Sequence, residues 1–275
     1  MTLNWSKSEP LVYVPTYKRD FLMTLESLEG TKILERTALV VHPDDVADYE
    51  SYGVTIVPCP AQGELGAVRR WLMDNHQGDF MVQMDDDLRF AVRRKDDPSK
   101  FRQPEGPDEI DEMFDRIFTL LREVPLVGVR QRGGANRSKP PVEVATRQCM
   151  LHGLNLPVAR ANGWKYRSCV FEDFDYTLQV LTSGYENAVL TTHVIDQRES
   201  QSPGGVEGYR TNDLMAQDAL ELAMNFPGFV KVVQKAGWRG MEYRTDVNVQ
   251  WKRALKSAGA KTALDVRLYE DLWWS

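Results

Sequence analysis

Cysteine, histidine and long apolar runs are all scarce in this chain. Its three cysteines, Cys59, Cys149 and Cys169, form no Cys-x-x-Cys pair and are odd in number. That excludes a disulfide scaffold and a zinc ribbon and fits free thiols in a reducing compartment. No window approaches the ~18 uninterrupted apolar residues of a spanning helix, and the stretch after Met1 carries no apolar leader segment. No membrane partner and a cytoplasmic location are therefore expected. The phosphate loop GxxxxGK[ST], the dinucleotide fingerprint GxGxxG and the nucleophile elbow GxSxG are all missing. An excess of positive charge is missing too: 34 Lys+Arg stand against 40 Asp+Glu, a net charge of -6. Non-specific coating of nucleic acid is thereby disfavoured, although a local basic face is not.

What remains is the composition of an ordinary globular protein, 42% hydrophobic and 27% charged over 275 residues, long enough to bury a large core. Short apolar runs at 11–14, 38–41, 54–57 and 80–84 alternate with helical stretches at 21–28, 44–52 and 65–75. Further strands are expected at 126–129 and 188–190, and helices at 108–123, 175–183 and, capped by Asn212, up to Asn225. Residues 92–107 and 198–210 read as loops. Strand–helix alternation predicts a mostly parallel sheet covered by helices, with ligands at the carboxyl ends of the strands.

The candidate chemistry falls at such ends. Asp85, Asp86 and Asp87 follow the apolar run 80–84. Three carboxylates there repel one another and resist burial unless a cation sits among them. Hard oxygen ligands suit Mg2+ or Mn2+, which in turn suit a diphosphate. In an extended segment Asp85 and Asp87 face one way and Asp86 the other. A solvated acidic turn accounts for the same residues equally well. Pro15 and Thr16 make a turn after the first strand, and Arg19, expected one turn into the next helix, suits a nucleotide or simply a capped helix start. Gly63-Glu64-Leu65-Gly66 opens a helix that carries Arg69 in its first turns, where a pyrophosphate binds. Glu172-Asp173-Phe174-Asp175 opens another: a carboxylate there serves as general base or complements the helix dipole. His193, ahead of the Ser-Pro-Gly-Gly run at 202–205, is a metal-ligand candidate, although a lone histidine is more often structural.

Taken in order from Leu11 to His193, these motifs resemble the GT-A glycosyltransferases of the family-2-like kind. More narrowly, Val40-Val41-His42-Pro43, the stretch 49–53, the run from Gly63 to Arg69 and Glu172-Asp173-Phe174-Asp175 are similar to the TET-associated glycosyltransferases. That family is encoded largely by bacteriophages and is implicated in sugar transfer to hydroxymethylated pyrimidines in DNA. The resemblance implies an α/β GT-A fold with a helical C-terminal appendage. It implies that Pro15, Thr16 and Arg19 line the nucleotide, that Asp44 reads the base and that Arg69 approaches the diphosphate. Asp85 and Asp87 match the DxD motif, Asp85 nearer the ribose with Asp86 beside it, Asp87 the better metal ligand, and His193 completes the metal site. Asp173 matches the catalytic base, with Glu172 and Asp175 as neighbours able to replace it. The implied activity is a Mn2+- or Mg2+-dependent, inverting transfer of glucose or another hexose from a UDP-sugar to 5-hydroxymethylcytosine in DNA, in the host cytoplasm if the gene is a phage's.

Charge placement bears on the acceptor. Between 125 and 141 stand Arg130, Arg132, Arg137 and Lys139 without a carboxylate, and 228–261 holds eight basic residues against Glu242 and Asp246. Trp238, Arg239 and Trp251 fall in the second stretch, and basic residues with interleaved aromatics suit phosphate contact and base stacking. A solvated amphipathic helix with Trp251 in the core fits the same pattern. The simplest division is a catalytic domain over 1–210 and an appendage over 211–275. Alternatives stay open: a glycan, lipid or protein acceptor, or a metal-dependent nucleotidyltransferase, which has no role for Glu172 and Asp173. A non-enzymatic nucleic-acid-binding module is the last, and it leaves the three aspartates unexplained.

Overall fold

The computed structural model describes residues 11–61, 64–137, 140–197, 211–237, 242–267 and 269. In chain order the elements are β1 (Val12–Pro15), α1 (Met23–Ser27), β2 (Thr37–Val41), α2 (Val46–Tyr49), β3 (Thr55–Pro58), α3 (Leu65–Asn75), β4 (Phe80–Met84), β5 (Leu88–Arg93), β6 (Phe101–Arg102), α4 (Pro107–Leu120), β7 (Leu126–Gln131), β8 (Val142–Val144), β9 (Leu151–Asn155), α5 (Leu156–Asn162), α6 (Glu172–Thr182), β10 (Ala188–Gln197), α7 (Asn212–Asn225), β11 (Val230–Ala236), β12 (Tyr243–Val249) and α8 (Trp251–Ala258).

Ten strands form the central sheet, in the order β3-β2-β1-β4-β9-β7-β10-β5-β6 with β8 also on β10. From the pairings, β1 to β4, β6, β7 and β10 run one way, and β5, β8 and β9 run against them. The apolar runs are continuous rather than alternating because both faces are covered. Val12, Val14, Leu39, Val82 and Met84 meet Ile110, Met113, Phe114 and Ile117 of α4. The intervening Tyr13, Ala38, Val40 and Met81 meet Leu72 of α3 and Tyr176 and Val180 of α6. Successive side chains thus feed two cores from one strand.

A third core joins the C-terminal part to α6: Phe174, Leu178 and Leu181 pack with Met215, Ala219 and Leu222 of α7, Val247 of β12 and Ala254 of α8. The appendage is helical at both ends, with an antiparallel hairpin of β11 and β12 between. In that hairpin Thr245 and Val247 are buried at alternate positions, a period-2 signal that the basic residues around it obscure in the sequence. The cap of α7 is Thr211, whose Oγ1 accepts from Leu214 N at 3.2 Å, one residue earlier than Asn212. Among the described residues no helix is long and apolar enough to cross a membrane.

Candidate active site

The segments that follow β1 and β4 meet at the carboxyl edge of the sheet. Thr16 follows β1, its N–H donating to Val40 O at 3.0 Å, and Asp85, Asp86 and Asp87 form the link from β4 to β5. Thr24 holds this link from below, donating through Oγ1 to Asp85 O at 2.7 Å and accepting from Leu88 N at 2.9 Å. The three carboxylates take three different partners. Arg69 Nη2 lies 2.7 Å from Asp85 Oδ1, Thr16 Oγ1 donates to Asp86 Oδ2 at 2.7 Å, and Gln197 Nε2 stands 3.0 Å from both oxygens of Asp87. Arg19 spans the last two, 3.4 Å from Asp86 and 3.8 Å from Asp87. The charge of Asp87 bears on Asp85 more than that of Asp86 does, although the three lie in a turn and not in an extended strand. The strand ends at Met84, so strand alternation does not carry through the turn. Arg19 likewise precedes α1 instead of lying within it.

Burial pushes the Asp85 carboxyl up to about 7; Arg69 opposes this, while Asp87, Asp86 and Asp173 add repulsion. Asp86 and Asp87 are also raised, each chiefly by burial. These are the electrostatics of a site that welcomes a cation. Arg69 itself is only 1% exposed. The expected approach to a diphosphate is not on display: the guanidinium lies beneath Asp85 and pairs with its carboxylate. It gets there because Gly66 lets α3 approach the 168–171 loop closely, a Cβ at that position falling 2.5 Å from Ser168 O. Asp44 stands past the end of β2, its side chain 88% exposed, and Pro15 closes β1.

The facing wall is the start of α6. Its N-cap Phe171 supplies no side-chain acceptor, and α7 supplies one instead. Asp218, 4% exposed, accepts through Oδ2 from Ser168 Oγ at 2.6 Å, Val170 N at 2.7 Å and Phe171 N at 2.9 Å. Glu172 and Asp173 follow at once, both buried. Asp173 accepts through Oδ1 from Phe174 N at 2.9 Å, and Arg147 Nη2 lies 3.4 Å from its Oδ2. Glu172 is within electrostatic reach of Arg69. Asp175 is held by Arg167 at 2.6 and 3.1 Å and by Gln179 at 2.6 Å, so its oxygens are already engaged. Of the three acidic residues, Asp173 is the one whose charge bears on Asp85 and which Arg147 contacts.

Arg147 is carried by the segment 145–150, which is fixed at several points. Gln148 is buried and donates through Nε2 to Val127 O at 2.8 Å and Leu151 O at 3.2 Å, filling the space left by Gly128. Asn187 binds both backbone groups of Thr146, at 3.2 and 2.8 Å. Ala145 and Met150, at the two ends, have φ of 48° and 63°, and Lys18 near Thr16 has 49°. These are the non-glycine residues with positive φ among those described, and all three flank this site, where backbone strain is commonly stored. Asp218, Arg147 and Gln197 were absent from the expectations. Asp218 had a signal: with Met215, Ala219 and Leu222 it completes the i, i+3, i+4, i+7 face of α7, an acid on an apolar stripe. Arg147 and Gln197 had none.

Other expected residues fall elsewhere. His193 pairs across the sheet with Val92, whereas Gln197 pairs with Leu88, so His193 sits four residues, ~13 Å, back along β10 from the residue that meets Asp87. Its ring nitrogens lie 3.1 Å from Thr192 Oγ1 and 3.1 Å from Glu109 O, and burial, aided by Arg116, lowers it to about 4. The structure does not bring it to the three aspartates. Among the described residues no group of three His, Cys, Asp or Glu is arranged to hold a metal. The 125–141 cluster is partly neutralised from outside: Glu143 lies 3.4 Å from Arg130 and Asp196 3.6 Å from Arg132, while Arg137 is exposed. Trp251 packs on Phe174 with ring centroids 5.5 Å apart, the core placement and not a base-stacking one. Lys139, Trp238, Arg239 and the 202–205 run lie outside the described residues.

The family model of the TET-associated glycosyltransferases matches residues 11–205. A crystal structure of Staphylococcus aureus TarS, residues 1–349, superposes with a TM-score of 0.50 at 13% identity, over 78% of this chain and 65% of that one. The chain thus spans just under two thirds of that structure's length. Glucosyl-3-phosphoglycerate synthase from Mycobacterium tuberculosis, solved with Mn2+, UDP and phosphoglyceric acid, gives a TM-score of 0.50 at 11% identity, over 88% of this chain and 87% of that one. No curated protein sequence matches. With the fold of the GT-A enzymes and a family match over most of its length, the chain belongs to the TET-associated glycosyltransferase family.

Proposed function

We propose that the protein moves a sugar, glucose or another hexose, from a UDP-sugar to the hydroxymethyl group of 5-hydroxymethylcytosine in DNA, with inversion at the anomeric carbon. The observation that carries the reading is one cluster in which the turn Asp85-Asp86-Asp87 meets a separate carboxylate, Asp173, near enough for its charge to bear on Asp85. The acceptor follows from the family resemblance, and the Mn2+ and UDP in the M. tuberculosis structure accord with the donor. Asp85 and Asp87 are hard oxygen donors whose proton affinity is already raised by burial, and they fit Mn2+ or Mg2+. Such an ion, when bound, neutralises charge on the departing diphosphate.

The chain's own residues divide the remaining tasks. Thr16, Arg19 and Asp86 form the nucleotide wall, Pro15 sets its turn, Asp44 lies at the base end, and Arg69 holds Asp85 from beneath. Asp173 takes the proton of the acceptor hydroxyl as that oxygen bonds to the anomeric carbon. The bond from that carbon to the diphosphate oxygen breaks, and its electron pair leaves on UDP. Entry and departure on opposite faces invert the centre. Residues 1–210 are read as the catalytic domain and 211–275 as its acceptor side, where Lys252, Arg253 and Lys256 of α8 are exposed and suited to phosphates. A target nucleotide turned out of its stack reaches the buried base.

The test is nucleoside mass spectrometry on hydroxymethylcytosine DNA incubated with the protein, Mn2+ and a panel of UDP-sugars. A hexose-mass gain that disappears with Asp173→Ala is expected. UDP-sugar hydrolysis without any gain on DNA would remove the DNA acceptor and leave the sugar transferase.

A further inference from the structure

We infer that Arg147 recognises the acceptor by taking a phosphate oxygen of the DNA strand beside the target nucleotide. This rests on the proposed DNA acceptor and adds a residue to it. Arg147 is built into place: the 145–150 segment is anchored by Gln148 and Asn187 and bracketed by two positive-φ residues. Its guanidinium lies 4.4 Å from the centroid of the Phe174 ring, and Phe174 in turn leans on Trp251. The plane is thereby fixed while the side chain stays 47% exposed.

Its bonding capacity is largely unspent. A guanidinium has five donors in a fork that matches phosphate, and among the described residues one long bond, 3.4 Å to Asp173, is its carboxylate contact. The neighbouring Arg167 shows the contrast, gripped at 2.6 and 3.1 Å by Asp175. Because Arg147 touches Asp173, an anion that it holds lies on the same side of the site as the hydroxyl being deprotonated, within reach of a phosphate on the target nucleotide's own sugar. Seating that phosphate draws the guanidinium from Asp173 and leaves the carboxylate to the acceptor hydroxyl, so that the base is released when the substrate is in place.

The experiment is a cycle of two changes on hydroxymethylcytosine oligonucleotides: Arg147→Ala in the protein, and a neutral methylphosphonate at each phosphate flanking the target in turn. Charge-assisted hydrogen bonds of this kind set the expected size. Arg147→Ala should raise the oligonucleotide KM about ten- to hundredfold, with Arg147→Lys recovering part of it. One of the two neutral linkages should cost the wild-type enzyme a similar factor, with no folding question attached. The same linkage should cost Arg147→Ala almost nothing more. Fully multiplicative losses at both linkages, or a fall in kcat with KM unmoved, would show that Arg147 acts only on Asp173 and overturn the assignment. Failure of the wild-type enzyme on every hydroxymethylated DNA while it hydrolyses UDP-sugar would instead sink the DNA acceptor, and the two failures are told apart by that control.

Discussion

Replacing Asp218 should show that the working site depends on α7. In Asp218→Ala, Ser168 Oγ and Val170 N lose an acceptor that now sits 2.6 and 2.7 Å away and Cys169 N a longer one at 3.5 Å, while Phe171 N keeps its second acceptor, Ser168 Oγ, at 2.9 Å. A buried donor left unpaired costs about 1–3 kcal/mol, and water entering the space left by the side chain recovers part of it. A loss of about 3–5 kcal/mol follows, roughly 10 °C in Tm for a chain of this size. Asp218→Asn keeps an oxygen in place but gives up the charge, and should lose about 1–2 kcal/mol. The assays are thermal unfolding and amide exchange at Val170, which should quicken in both variants. Because Glu172 and Asp173 come directly after this loop, kcat should fall with it, more in Ala than in Asn. An Asp218→Ala protein within 1 kcal/mol of wild type, with unchanged exchange and turnover, would refute the reasoning.

Other expectations are brief. Gly66→Ala drives a methyl to 2.5 Å from a backbone carbonyl; α3 must shift, and activity should drop at least tenfold, read by transfer assay with circular dichroism as the folding check. His193→Asn should flatten the acid limb of stability. The folded protein holds this histidine neutral down to about 4 against an ordinary 6.5, so the unfolded chain takes the proton first. Stability present above pH 6.5 is lost as pH falls toward 4, about 3 kcal/mol at 1.36 per unit, and denaturant titrations at several pH values would show its absence in the variant. The same variant should keep a Mn2+-induced rise in Tm, whereas Asp87→Ala should abolish that rise, as measured by differential scanning fluorimetry.

Much of the fold was legible because β1, β2 and β4 are so apolar that only a sheet covered on both sides accommodates them, and α3 and β4 fall on the expected residues. β5 and β9 were not legible. β5 starts within two residues of an acidic turn, and β9 carries His152 and Gly153 in its middle. His152 is tolerated there because its Nδ1 meets Tyr166 Oη at 2.8 Å, a partner 14 residues away that no local pattern announces. The same limit governs the site. The three aspartates and Asp173 announce themselves by clustering next to apolar runs. The partners that decide their roles, Gln197 for Asp87 and Arg147 for Asp173, come from distant strands and loops. The basic run at 125–141 meets the same limit: the carboxylates beside Arg130 and Arg132, Glu143 and Asp196, lie outside the window.

The positive φ angles of Ala145 and Met150 carry a lesson for anyone engineering this enzyme. A non-glycine residue in that conformation gives up about 1–2 kcal/mol relative to a relaxed backbone, so the segment is a reservoir of stability that a directed-evolution screen for heat resistance would find quickly. Glycine at Ala145, which gives up only a methyl, would raise the melting point, whereas at Met150 the loss of a side chain buried in the core outweighs the relief. The first change would also loosen a stretch of chain that places a guanidinium beside Asp173, the base in the proposed reaction, and thermostable winners from such a screen should be enriched in poor catalysts.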